Sequence, residues 1–174
     1  MKYKLMMALL LVGSVFSFAQ TEDELKSLAI AQAKETSQAM LDQDYKTIVK
    51  YTHSNIADMM GGKDKMLTTI EASMSGMEEA GVSFDKSEIG ELLAFKKEDG
   101  EYRCLIESYL VMTMKLQKKR ISKKSSLFGF YDAEAKHWTF VEANSISGPA
   151  GKQFFPDFKT NIEIPEDEQT IEDL

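Results

Sequence analysis

The chain has 174 residues, 21 Lys plus Arg against 28 Asp plus Glu, and a formal net charge of −7. That balance leaves no broad basic surface for neutralising phosphates, which argues against general nucleic-acid binding and against attachment to anionic membranes. The single cysteine, Cys104, excludes an intramolecular disulfide, and its place inside an apolar run reads as a small buried side chain rather than a reactive thiol.

In chain order, Lys2 and Lys4 precede an apolar run from Leu5 to Phe18, and Ser17-Phe18-Ala19 presents the small-x-small pattern of a signal-peptidase site. The run is shorter than the roughly 20 residues a bilayer-spanning helix needs, so no integral membrane segment is expected after processing. Residues 1–19 are therefore expected to be a signal peptide, cut before Gln20. The remaining chain carries 19 basic and 28 acidic residues, a formal net charge of −9. Its length suits one domain with a sizeable core, assigned to residues 20–165. Residues 166–174 form an acidic tail expected to fray.

Thr21 to Glu24 spells a capping box, in which the Thr hydroxyl and the Glu carboxylate each accept a backbone N–H. Leu25, Leu28, Ala29, Gln32, Ala33, Thr36 and Met40 follow at helical spacing and predict one long helix over 22–42. Asp44 is placed to cap a second, shorter helix carrying Tyr45, Ile48, Val49 and Tyr51. Residues 53–62 read as a loop, with Gly61-Gly62 serving a turn rather than a phosphate loop. A third helix is expected over 63–80, with Met66, Leu67, Ile70, Met74 and Met77 on one face and Gly81 as its stop.

Residues 82–97 read as extended, and Glu98-Asp99-Gly100 signals a tight turn. From Glu101 onward Leu110, Met112, Met114 and Leu116 recur at every second residue, the period of a half-buried antiparallel strand. A basic turn, the run SSLFGFY, the loop DAEAK and the run HWTFVE complete a meander. Beyond it Phe154, Phe155 and Phe158 are apolar anchors, and Ile162 to Pro165 suggests a short edge strand. Six basic residues lie between Lys115 and Lys124, and six acidic ones from Glu163 onward. The hairpin tip reads first as a solvated loop that discourages edge pairing, and alternatively as an electrostatic partner for an acidic protein or for the chain's own tail, within one chain or across a dimer.

This order predicts an α+β protein, three N-terminal helices packed on a curved antiparallel sheet. Asp44-Tyr45, Tyr51-Thr52-His53, Gly61-Gly62 and Trp138-Thr139-Phe140-Val141 then resemble motifs of the nuclear-transport-factor-2-like (cystatin-like) superfamily, in particular its small secreted bacterial members of unknown function. The resemblance covers about residues 22–165. It implies a cone-shaped domain with a pocket at the open end, while the expected signal peptide implies export to the periplasm or cell exterior of a Gram-negative bacterium. The resemblance also brings isomerases, dehydratases, ligand binders and interaction modules into view, because fold alone does not set function.

Enzymes of that fold place an Asp, or a His–Asp pair with tyrosines, inside the cone. Asp58, His53, Tyr45 and Tyr51 are the candidates by that analogy, each with a structural role that explains it as well. Asp44 reads as an N-cap, His53 as a helix-end residue, and both tyrosines as packing residues with hydroxyls in water. Trp138 and Phe140 read equally as core, and His137 as an exposed strand-start residue. No spacing suggests a metal site, a nucleophile elbow or a nucleotide loop, and no cofactor is expected. The expected function is non-catalytic: an apolar or amphipathic small ligand held in the cone by Met59, Met60, Tyr109, Met112, Met114 and Trp138, or a protein partner, a second copy included, on the sheet face. The alternative is an isomerase- or dehydratase-like enzyme using the Asp or His.

Overall fold

The computed structural model describes residues 21–148 and 151–174, so the expected signal peptide lies outside the described residues. Among the described residues four helices precede the sheet: α1 (Glu22–Leu41), α2 (Tyr45–Lys50), α3 (Ser54–Met59) and α4 (Lys63–Glu79). The capping box forms, with the Thr21 hydroxyl accepting from Glu24 N–H at 3.2 Å and the Glu24 carboxylate accepting from Thr21 N–H at 2.8 Å. Asp44 caps α2 by accepting from Thr47 N–H at 3.2 Å. The stretch expected to be a loop contains α3, so the helix count rises from three to four. Its N-cap is His53, whose Nδ1 accepts from Asn55 N–H at 3.2 Å.

The sheet is antiparallel, with β1 (Val82–Glu98), β2 (Glu101–Met114), β3 (Lys119–Asp132) and β4 (His137–Glu142) side by side in that order. Asp99 (φ 52°) and Gly100 (φ 86°) join β1 to β2, both in the left-handed conformation that a two-residue hairpin of matching twist requires. Register shifts at Phe84/Lys86, Ile89/Leu92 and Leu92/Ala94 interrupt β1. Extra residues on one strand of a pair bend it, which accounts for the curvature.

After β4 come two short helices, α5 (Ala143–Ser147) and α6 (Gly151–Phe154), and a fifth strand, β5 (Glu168–Asp173). The tail expected to fray is thus a strand. It pairs with Lys119–Lys124 of β3, while β4 pairs with Leu127–Asp132 of the same strand. One strand carries two neighbours in tandem along one side, and neither reaches Ser125 or Ser126. The expected edge strand at Ile162–Pro165 does not form; those residues run as a strap without ladder bonds. Leu116, which continues the alternation of β2 in sequence, lies in a 3-10 turn and is 78% exposed.

Both faces of the sheet are covered where β2, β3 and β4 meet, so Arg103–Ile106 and Trp138–Val141 are buried without alternation. On one face α1 packs Leu25, Ala29 and Ala33 against Cys104, Ile106, Trp138 and Phe140. The Trp138 indole donates to the Leu25 carbonyl at 3.0 Å, and its backbone N–H donates to the buried Gln32 side chain at 2.7 Å. On the other face Leu105, Phe128, Phe130 and Val141 pack against Ile146, Phe155 and Ile162. A third cluster joins Val49 of α2, Ala57 of α3 and Met66 of α4.

Candidate functional site

Residues 160–167 cross the second face of the sheet as a strap, and polar side chains fasten it at both ends. At its start the Glu98 carboxylate accepts from the Thr160 hydroxyl (2.6 Å), the Asn161 N–H (2.8 Å) and Arg103 (3.2 Å). Arg103 also donates to the Lys159 carbonyl at 2.7 Å. Burial works to raise the Glu98 carboxyl, but these hydrogen bonds and the guanidinium outweigh it and hold it below the ordinary carboxylate range. At the far end the Asn144 amide donates to the Pro165 carbonyl (3.0 Å) and the Asp167 carboxylate (2.6 Å), and Lys123 lies 2.8 Å from Asp167. Between the two anchors Ile162 enters the core.

The strap stands off the sheet and leaves a groove of about 560 Å³. Its floor and walls are apolar at Leu93, Ala94, Leu105, Ile162 and Pro165. Ser125 and Ser126 lie where β4 and β5 fail to meet. The rim holds Glu107, Glu163, Glu166 and Glu168 against Lys96 and Lys124. Lys124 pairs with Glu107 at 2.6 Å, and Lys96 donates to the Asn161 carbonyl at 2.6 Å. Hydrogen bonds from Lys124 and then from the Tyr109 hydroxyl depress the Glu107 carboxyl. Both cations are therefore engaged, whereas the side chains of Glu163 and Glu166 have no such partner among the described residues. A volume of this size falls within the range of small-molecule sites, roughly 300–1,000 Å³. The groove leaves one trace in the sequence, the Ile162–Ile164 alternation, which by itself suggests a strand.

The residues expected to line a pocket in the cone are not brought together. Trp138 is fully buried against α1 and fills the core. Met59 is 54% exposed on α3, and Met60 packs on the cluster of α2, α3 and α4. Tyr109 turns to the opposite face from Met112 and Met114, as strand alternation requires. Met112 belongs to a row across four strands, Phe84–Met112–Ile121–Ile171. Met114 sits one row further along.

The catalytic candidates are scattered too. Asp58 is exposed on α3, and Tyr45 lies against a separate small cavity at the α1–α4 end. Tyr51 is buried rather than wet: its hydroxyl donates to Glu35 at 2.5 Å and accepts from Lys50 at 2.8 Å. Burial first, and then the Glu35 bond, raises its pKa. His53 shares a polar cleft of about 410 Å³ with His137 and Asp132, its ring edge-on to Phe130 and Phe155 at 4.8 and 4.9 Å. Burial holds its pKa below the ordinary value, against a weaker opposing pull from Asp132. A neutral ring whose Nδ1 accepts the Asn55 N–H carries its proton on Nε2, so the nitrogen still open to a substrate is a donor and not a base. Cys104 is fully buried, and desolvation pushes its thiol far above the ordinary value.

Among the described residues no group of three or more His, Cys, Asp or Glu side chains is placed to hold a metal ion. No helix among them is long and apolar enough to cross a membrane. No protein-family model matches the chain, and no curated protein matches it.

Proposed function

We propose that this protein is an exported, non-catalytic binding protein of the nuclear-transport-factor-2-like superfamily, and that its ligand is a small amphipathic molecule held in the groove beneath the strap. The observation that carries the reading is the groove itself: an apolar floor, hydroxyls at one end, a charged rim, and walls fastened at both ends before any ligand arrives. Preorganised walls lower the ordering cost of binding. Two placements weigh against the isomerase- or dehydratase-like alternative. His53 spends Nδ1 on a helix cap, and Asp58 faces solvent on α3, outside the cleft that holds His53.

Native mass spectrometry of the protein purified from the compartment that receives it tests this reading. A reproducible adduct of small-molecule mass is expected, and Ala94→Phe, which puts a ring into the groove, is expected to abolish it. An adduct that survives Ala94→Phe, or none at all, would overturn the assignment.

A second reading, a protein partner on the sheet, is favoured by the apolar row Phe84–Met112–Ile121–Ile171, whose last member is 54% exposed. Ile171→Lys would then weaken a complex isolated with the wild-type chain. A complex indifferent to that change would exclude this face.

A further inference from the structure

The groove's rim says more about its occupant than its floor does. An apolar floor alone accepts any hydrophobic body, and discrimination among amphiphiles falls to the charges the head group meets. Here the lining carries four carboxylates and two ammonium groups. Lys124 is paired with Glu107, whereas Lys96 gives one N–H to the Asn161 carbonyl and keeps its charge, so the carboxylates of the lining still outnumber its ammonium groups two to one. Glu168 stands opposite Lys124 in the β3–β5 register, so Glu107 and Glu168 share one cation. Glu163 and Glu166 lie on either side of Ile164-Pro165 on the strap, are exposed, and make no side-chain hydrogen bond or salt bridge among the described residues. Both belong to the wall that faces the apolar floor.

We infer that the ligand of this groove is a cationic amphiphile, an alkyl body on Leu93, Ala94, Leu105 and Ile162 with an ammonium-type head group at Glu163 and Glu166. The inference rests on the groove being the binding site. An anionic head group of the same size would enter a lining in which carboxylates outnumber ammonium groups two to one, and like-charge repulsion would disfavour it. The head group stays at the rim and keeps much of its water, so the preference is moderate and falls as salt screens it.

Three eight-carbon probes that differ only in head group separate the two claims: octyltrimethylammonium, octanoate and octanol, titrated into the purified protein and followed by calorimetry at low salt. Octyltrimethylammonium is expected to bind at least tenfold more tightly than octanoate. The double variant Glu163→Gln/Glu166→Gln is expected to weaken it about tenfold, about threefold for each exposed carboxylate. Octanol binding should be unchanged in that variant and lost in Ala94→Phe. Octanoate binding as tightly as the cation, or a double variant that keeps the preference, would overturn the head-group inference while octanol still reported an intact groove. Failure of all three probes, or indifference to Ala94→Phe, would overturn the groove as the site and this inference with it.

Discussion

Lys123 on β3 places its ammonium 2.8 Å from Asp167, just before β5, and 2.7 Å from Glu142 at the end of β4. One side chain thereby ties together the ends of the two strands that share β3, at the gap where neither pairs with Ser125 or Ser126. Burial lowers the Lys123 pKa, but its two carboxylate partners more than restore it, so the net shift is upward. Lys123→Ala is expected to cost about 1–2 kcal/mol, the range for a partly buried charged hydrogen-bond pair. The loss should be local. Amide exchange in Glu168–Asp173 accelerates while that of α1 does not, and uniform acceleration would contradict the tie.

The α1 face rests on Trp138. Trp138→Phe removes the bond to the Leu25 carbonyl and leaves a cavity beneath α1, for an expected loss of about 2–3 kcal/mol. Urea unfolding measures it. A loss below about 0.5 kcal/mol would mean that the indole hydrogen bond and its packing contribute little.

Gly129 lies where a side chain has no room: a Cβ there would come within 2.5 Å of the Cys104 sulfur and 3.2 Å of Phe140 and Trp138. Gly129→Ala should therefore destabilise by about 1–3 kcal/mol through overpacking. Cys104→Ala clears the sulfur, so the double variant should recover about 1 kcal/mol relative to the sum of the single changes. Strict additivity in a double-mutant cycle would show that the crowding lies elsewhere.

His53 makes stability depend on pH in the neutral range. Its folded pKa lies below the ordinary 6.5, so the unfolded chain binds the proton first as pH falls. The stabilisation is complete above about pH 7.5, declines as pH drops through the unfolded value of about 6.5, and levels off below the folded value. His53→Asn keeps an N-cap acceptor and cannot titrate. Melting temperature followed from pH 7.5 to 5.5 should slope in the wild type and flatten in the variant; equal slopes would assign the effect to other groups.

Where local chemistry decides structure, the sequence could be read directly. The capping box at Thr21–Glu24, the Asp99-Gly100 turn, the stop at Gly81 and the burial of Cys104 and Trp138 each follow from a few adjacent residues. Elements held by distant partners could not be read that way. β5 has one apolar residue, Ile171, and no period of two; what holds it is its ladder to Lys119–Lys124, with ion pairs from Lys119 to Asp173 and from Lys123 to Asp167 at its two ends. The acidic tail and basic hairpin were visible as a charge pair, but not that they would become a ladder. α3 was missed because its cap is an imidazole, outside the Ser, Thr, Asp and Asn set that usually signals a helix start. The Met112–Met114 alternation correctly marked a strand. Alternation says nothing of which half of a sheet the helices reach, so the pocket drawn from those methionines was misplaced, and the strap groove, built from strands and a segment some 60 residues apart, left almost no mark.

The tandem arrangement along β3 also sets an order of assembly. Lys119–Asp132 and both of its hairpin neighbours are complete once Glu142 has been synthesised, yet half of one side of β3 waits for residues 168–173. A nascent chain that has not yet delivered those residues shows an open strand edge, the kind of surface that recruits foreign strands. Lys119 and Lys123 repel one another's copies along that edge, so the charges that later pair with Asp173 and Asp167 first keep unfinished chains apart.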